Sequence, residues 1–192
     1  GQWRFGNNVA TVLRTLTLEG SLSVETAGQI RTGTGNARHQ FNLYGDLLNN
    51  GGDIQFTNRV AANYTAEATN GIVDVNLLSA IRNQALNLSG PSRFYRIEID
   101  KCVDQTYIAS INGDPGMFSL FGFANESHTD TNQLNDNDNA LGLVRGTVEI
   151  GPNIVIAQLN NGGNYNISEA AALWVNGGSV SKTSGTALVP YG

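Results

Sequence analysis

Charge, cysteine and long apolar runs are all scarce in this 192-residue chain, and each scarcity excludes something. Charged side chains make up only 14% of it, against roughly a quarter in ordinary globular domains. With a formal net charge of -5 and a pI near 4.9, the chain offers no basic patch to hold nucleic acid or an anionic membrane surface. Cysteine occurs once, at Cys102, so an internal disulfide is excluded while the redox compartment stays open. No apolar run approaches the roughly 20 residues that cross a bilayer as a helix. Also missing are a G-x-S-x-G elbow, a P-loop and a dinucleotide fingerprint, which removes the commonest signatures of nucleophilic and phosphate chemistry.

What the chain has in plenty is glycine, 23 residues, and asparagine, 24. These are the residues that tolerate positive φ, so the composition suits short strands joined by tight turns. The length fits one elongated domain, taken as a single segment over 1–192. Both ends share the strand-and-turn texture, which predicts a piece of a longer chain.

One phrase recurs: apolar, any, apolar, any, glycine. It is found as Leu16-x-Leu18-x-Gly20, Phe41-x-Leu43-x-Gly45, Leu86-x-Leu88-x-Gly90, Phe118-x-Leu120-x-Gly122 and Leu173-x-Val175-x-Gly177. Apolar residues at period two share one side of a strand, and the glycine lets the chain turn where a Cβ would clash. Leu16, Leu18, Gly20 and Leu22 recur 25 residues later as Phe41, Leu43, Gly45 and Leu47, an interval that predicts one turn of chain stacked on the next. Asn49-Asn50-Gly51-Gly52 and Asn160-Asn161-Gly162-Gly163 repeat a turn signal verbatim. Alternating pairs such as Val73-x-Val75, Ile97-x-Ile99, Val148-x-Ile150 and Ile154-x-Ile156 mark further strands of about three to five residues.

Two segments depart from this texture. Between Val75 and Leu88 the apolar spacing also fits an amphipathic helix, but strand and loop is the preferred reading. Residues 125–139, rich in Asn, Asp, Ser and Thr, read as an exposed loop. The fold expected from the whole pattern is all-β, a right-handed parallel β-helix, or solenoid. An antiparallel β-sandwich is the alternative, because Asn-Gly hairpins would satisfy the same turn signals.

No catalytic, cofactor-binding or metal-ligating set is assigned from the sequence. Asp130, Asp136 and Asp138 offer hard oxygen ligands of the kind Ca²⁺ takes, but the glycine and glutamate of an EF-hand loop do not fall in place, and a solvated loop is preferred. Glu98 and Asp100 alternate with Ile97 and Ile99, so they are expected on the outer face of one strand, roughly 7 Å apart. That spacing suits paired-carboxylate glycoside hydrolysis, yet Arg96 and Lys101 flank the pair and a charge-neutralised exterior strand is the simpler account. His39 and His128 lack neighbours at ligand spacing and are expected at the surface, while Cys102 reads as a buried or half-buried free thiol. Trp174, Tyr165, Tyr107, Phe94 and Tyr95 are candidates for a sugar-stacking platform, with Trp174 expected to face outward between Leu173 and Val175. Sequons stand at Asn63, Asn87, Asn125 and Asn166, as chance allows in an asparagine-rich chain.

Several longer phrases carry a resemblance. Phe94-Tyr-Arg-Ile-Glu-Ile-Asp-Lys101, Phe118-Ser-Leu-Phe-Gly122, Asn139-Ala-Leu-Gly-Leu143, the run from Arg145 to Ile154 and the run from Gly163 to Val175 resemble segments of very large β-helical cell-surface proteins of Bacteroidetes. That group includes gliding-motility adhesins exported by type IX secretion. The resemblance implies a structural and adhesive segment, without enzymatic activity, of a long secreted chain. Its implied place is extracellular, at the cell surface, held to the outer membrane through another part of the protein. Neighbouring modules of the same chain and a surface polysaccharide or other cell-surface target are the implied partners. It transfers no site residue. The competing functions are a polysaccharide lyase or hydrolase on the same fold and a carbohydrate-binding module.

Overall fold

The computed structural model describes residues 1–5, 12–33, 38–58, 71–101, 103–121, 140–159, 164–182 and 187–190. Its strands come in successive layers. The first holds β1 (Gln2–Phe5), β2 (Thr15–Leu18) and β3 (Leu22–Glu25), and the second β4 (Gln29–Thr32), β5 (Arg38–Leu43) and β6 (Leu47–Asn50). The third holds β7 (Asp53–Gln55), β8 (Ile72–Leu77) and β9 (Gln84–Leu88), and the fourth β10 (Ser92–Phe94), β11 (Arg96–Asp100) and β12 (Ile108–Gly113). Then follow β13 (Phe118–Leu120), the long β14 (Leu141–Ile150), β15 (Val155–Ile156), β16 (Tyr165–Ile167), β17 (Ala171–Val175), β18 (Ser179–Val180) and β19 (Leu188–Pro190).

In the early layers each strand pairs in parallel with the one three places further along. The five-stranded sheet runs β1-β4-β7-β10-β13. The 25-residue offset is visible as register, with Leu16 opposite Phe41, Leu18 opposite Leu43 and Leu22 opposite Leu47. The next layer lies 34 residues further on, Phe41 opposite Val75, because the connection between β7 and β8 is longer.

The expected right-handed β-helix needs correction at β14. Its first half pairs with β11 and its second half with β12 and β17, so the columns headed by β2 and β3 are not separate faces of a regular solenoid. They merge into one nearly closed, barrel-like path of nine parallel strands, β2-β5-β8-β11-β14-β12-β9-β6-β3, with β17 joined to β14. Its terminal strands β2 and β3 are separated in sequence only by Glu19–Ser21. Two local features let one ten-residue strand serve both halves. A bulge at Val144 shifts the register between Ile99 and Asp100, and Gly146 takes φ +92°. The antiparallel sandwich is not found: every strand pair among the described residues is parallel, and antiparallel contact is confined to two isolated bridges.

Inward residues follow the alternation. Phe41, Leu43, Val75, Leu77, Ile97 and Ile99 are fully buried. Through the middle runs a file of rings, Phe5, Phe56, Phe94 and Phe118, with successive centroids 5.8, 5.6 and 5.7 Å apart. These tilted and edge contacts add to the burial of the rings themselves. The segment Val75–Leu88 is strand, loop and strand, as preferred.

Glycine in the recurring phrase serves clearance, where a Cβ would clash, more than it serves positive φ. Only Gly177 of the described members has positive φ. Gly45 and Gly90 are needed for clearance: a Cβ on Gly45 would lie 2.2 Å from the carbonyl of Gly20, and one on Gly90 would lie 2.2 Å from the Gly52 oxygen. Asparagines cap strand edges. Asn83 accepts from the Ile108 N–H, Asn164 from the Ala187 N–H, and Asn76 donates to Asn42 across two layers.

Candidate functional site

The corner between the two halves of the merged path is where chemistry gathers. Its connections differ in length. Tyr44–Asp46 spans three residues, Leu78–Asn83 six and Lys101–Tyr107 seven, whereas β14 passes the corner without a break. The longer connections stand out between shorter ones and leave a recess of about 340 Å³. Tyr44, Leu78, Ala80, Asp100, Lys101, Val103 and Arg145 line it.

Arg145 reaches the recess because the Val144 bulge sets it opposite Asp100. Its guanidinium grips the Asp100 carboxylate with two parallel bonds, Nε to Oδ1 and Nη2 to Oδ2, the latter 2.8 Å. Asp100 is almost wholly buried, and Arg145 stays partly exposed at the mouth. Beside them Lys101 turns inward and is 1% exposed. Its ammonium donates to Gln84 Oε1 at 2.6 Å, an oxygen that also accepts the Ser79 N–H. Gln84 in turn donates to the carbonyls of Leu43 and Gly45. Loss of hydration pushes the Lys101 amine down to about 8, Arg82 pushes the same way, and Asp46 opposes them.

Glu98 and Asp100 are not an exposed exterior pair. Alternation puts both outward, but outward here is buried: Arg96, Glu98 and Asp100 are each under a tenth exposed, as is Asp74 on the neighbouring strand. Arg96 Nη2 binds Glu98 at 2.9 Å, and Arg38 binds Asp74 through Nε and Nη2 at 2.6 and 2.9 Å while lying 5.2 Å over the Tyr95 ring. Burial raises the Glu98 carboxyl above its usual range; Arg96 opposes the rise, and Asp100 and Asp74 add to it. Each of the two carboxylates is thus engaged by a different arginine.

His39 is a second correction. It lies on the inward side of β5, buried, and its Nδ1 accepts the Arg14 N–H at 3.1 Å, a role only the neutral ring can fill. Desolvation, with Arg14 second, lowers its pKa. The aromatic candidates do not form one platform. Phe94, Tyr95 and Tyr165 are buried, Tyr165 donating its hydroxyl to the Leu141 carbonyl, and Trp174 faces outward as expected, 48% exposed. Asn87 and Asn166 are exposed. Cys102, His128, the loop at 125–139 with Asp130, Asp136 and Asp138, and the sequons Asn63 and Asn125 lie outside the described residues. Among the described residues no cluster of three or more metal-ligating side chains occurs.

Sequence reasoning singled out Asp100 and Lys101 but missed Arg145 and Tyr44, which lie at the same corner of other layers. The stacking offset was the available signal for Tyr44, since it follows Leu43 in the best-marked repeat. No protein-family model, curated protein or solved structure matches the chain.

Proposed function

We propose that the chain is a structural and adhesive segment of a long extracellular bacterial surface protein, and that it attaches through the corner recess to a sugar residue of a surface polysaccharide. The observation behind this reading is the make-up of the recess. An ion pair held flat by two parallel bonds, Asp100 with Arg145, stands next to the apolar walls of Leu78, Ala80 and Val103 and the ring of Tyr44. A sugar ring presents hydroxyls at its edge and C–H groups on its face, so it needs both kinds of wall. The volume lies within the 300–1,000 Å³ range usual for small-ligand sites.

The test is calorimetric titration with oligosaccharides released from bacterial surface polysaccharides. Binding should be lost in Ala80→Trp, which fills the recess, and weakened in Tyr44→Ala, with melting temperatures unchanged. Binding indifferent to both changes would overturn the reading. So would polysaccharide cleavage that disappears in Glu98→Gln or Asp100→Asn, which would make the chain an enzyme.

A further inference from the structure

Inward-facing apolar side chains come to the surface at both ends of the strand stack. At one end Trp3 is 40% exposed and Leu16 and Leu22 are half-buried, and at the other Val175 and Leu188 are 43% and 42% exposed. Among the described residues the strands at these ends pair on one side only: β1, β2 and β3 at the first end, β17, β18 and β19 at the last. Each end therefore offers three parallel edges.

The registers relate these ends. Leu22 is opposite Leu47, Leu47 opposite Leu86, Leu86 opposite Ile111, Ile111 opposite Ile150 and Ile150 opposite Val175. This single inward row is aliphatic from end to end. Hydrogen-bonding direction fits as well. In a parallel strand, residues whose N–H and C=O face one neighbour alternate with residues facing the other. Asn176 donates to the Ile150 carbonyl, so the backbone groups of Val175 face the open edge of β17. Leu22 donates to the Asp46 carbonyl, so those of Ser23 face the open edge of β3.

From this we propose that the chain binds a second copy of itself head to tail, β3 of the second copy adding to β17 of the first. Leu22 of the second copy then stands opposite Val175 and extends the aliphatic row by one member. The Ser23 N–H of the second copy donates to the Val175 carbonyl, repeating the relation by which Asn176 donates to Ile150. The contact joins two different surfaces at opposite ends of the stack, so copies add along one direction and each leaves another open end. This proposal goes beyond the attachment reading and does not depend on the recess.

Sedimentation velocity on the intact chain over a range of concentrations tests it, with two variants at opposite ends. Ser23→Pro removes the outward N–H of an edge strand and spares the backbone bonds to β6, losing only the exposed side-chain bond from Asn50 to the Ser23 hydroxyl on that side. Val175→Asp puts a charge on the other face. Wild type should form species larger than the 20.4 kDa monomer that grow with concentration. Each variant alone should stay monomeric, with association weakened at least about tenfold, and an equimolar mixture of the two should stop at a dimer, because each contributes one intact end. Circular dichroism and a parallel series with Leu188→Asp guard against a variant that has merely unfolded. A wild type that remains monomeric throughout, chains that persist in either variant, or a mixture that fails to dimerise would overturn the proposal; sugar binding at the recess would be unaffected by any of these results.

Discussion

The ammonium group of Lys101 sits 2.6 Å from Gln84 Oε1, and through that one amide it is linked to two backbone carbonyls of the turn between β5 and β6, at Leu43 and Gly45. Gln84 thereby ties the second, third and fourth layers together at the corner that also bears the recess. Replacing Gln84 with Ala should remove a donor from both carbonyls, of which Leu43 keeps the Leu78 N–H, take the acceptor from the buried Lys101 ammonium, and cost about 2–4 kcal/mol in urea unfolding. A loss under about 0.5 kcal/mol would mean that the turns hold themselves without it.

Lys101 makes stability depend on alkaline pH. Its folded-state pKa is lowered to about 8 from 10.5, so between those values the unfolded chain binds more protons than the folded one, and stability rises as pH rises across that window. The gain should reach about 3 kcal/mol at most. In Lys101→Met, which keeps the length of the stem and the Ser79 bond to Gln84, the rise should vanish. Chemical denaturation at pH 8 and pH 10.5 on both proteins checks this.

Glu98 gives the opposite slope in acid. Its pKa is raised above 4.5 in the folded state, so the folded chain holds a proton that the unfolded chain has already released. Stability should therefore fall as pH rises from 4.5 through the raised value, and Glu98→Gln should flatten that fall. An unchanged slope in the variant would assign the dependence to another group.

How far such features could be read from the sequence depends on their range. The period-two alternation marked the inward residues from Phe41 to Ile99, because side-chain direction in a strand is a local property. The 25-residue echo placed Leu16 on Phe41 for the same reason. The merging of two columns depends on one bulge at Val144 and one backbone angle at Gly146; the sequence shows only that the apolar phase changes between Leu143 and Val148, as it also would across a break between two strands. Burial of Arg96 and Glu98 departs from the expected exterior strand because facing outward from a strand says nothing about how closely Arg38, Asp74 and Tyr95 crowd around them. Arg145 joined the recess across 45 residues of chain, a distance over which no spacing rule operates. Burial of His39 is not legible in the sequence, because its neutral role as acceptor for Arg14 depends on which layer lies beneath it.

Stacking clearance gives the sharpest contrast between two residues of one type. Gly20 and Gly45 occupy the same place in the recurring phrase, one layer apart, and sequence alone gives no reason to treat them differently. A Cβ on Gly20 meets nothing within 4 Å, since no layer of described strands lies beyond it, while a Cβ on Gly45 would meet the carbon and oxygen of Gly20 at 2.2 Å and the Ser21 nitrogen at 2.3 Å. Those are backbone atoms, which cannot swing aside as the tip of a side chain can. Gly45→Ala should force the first two layers apart and cost about 2–3 kcal/mol or more, in the range of overpacked cores. Gly20→Ala should change stability by less than about 0.5 kcal/mol, as exposed substitutions do. Hydrogen exchange adds a spatial check: Gly45→Ala should release the amides of Leu22 and Tyr44, which donate to Asp46 and Leu18 across that gap, at 2.8 and 3.0 Å. Equal melting temperatures for the two variants would show that the layers are not held at the spacing these contacts require.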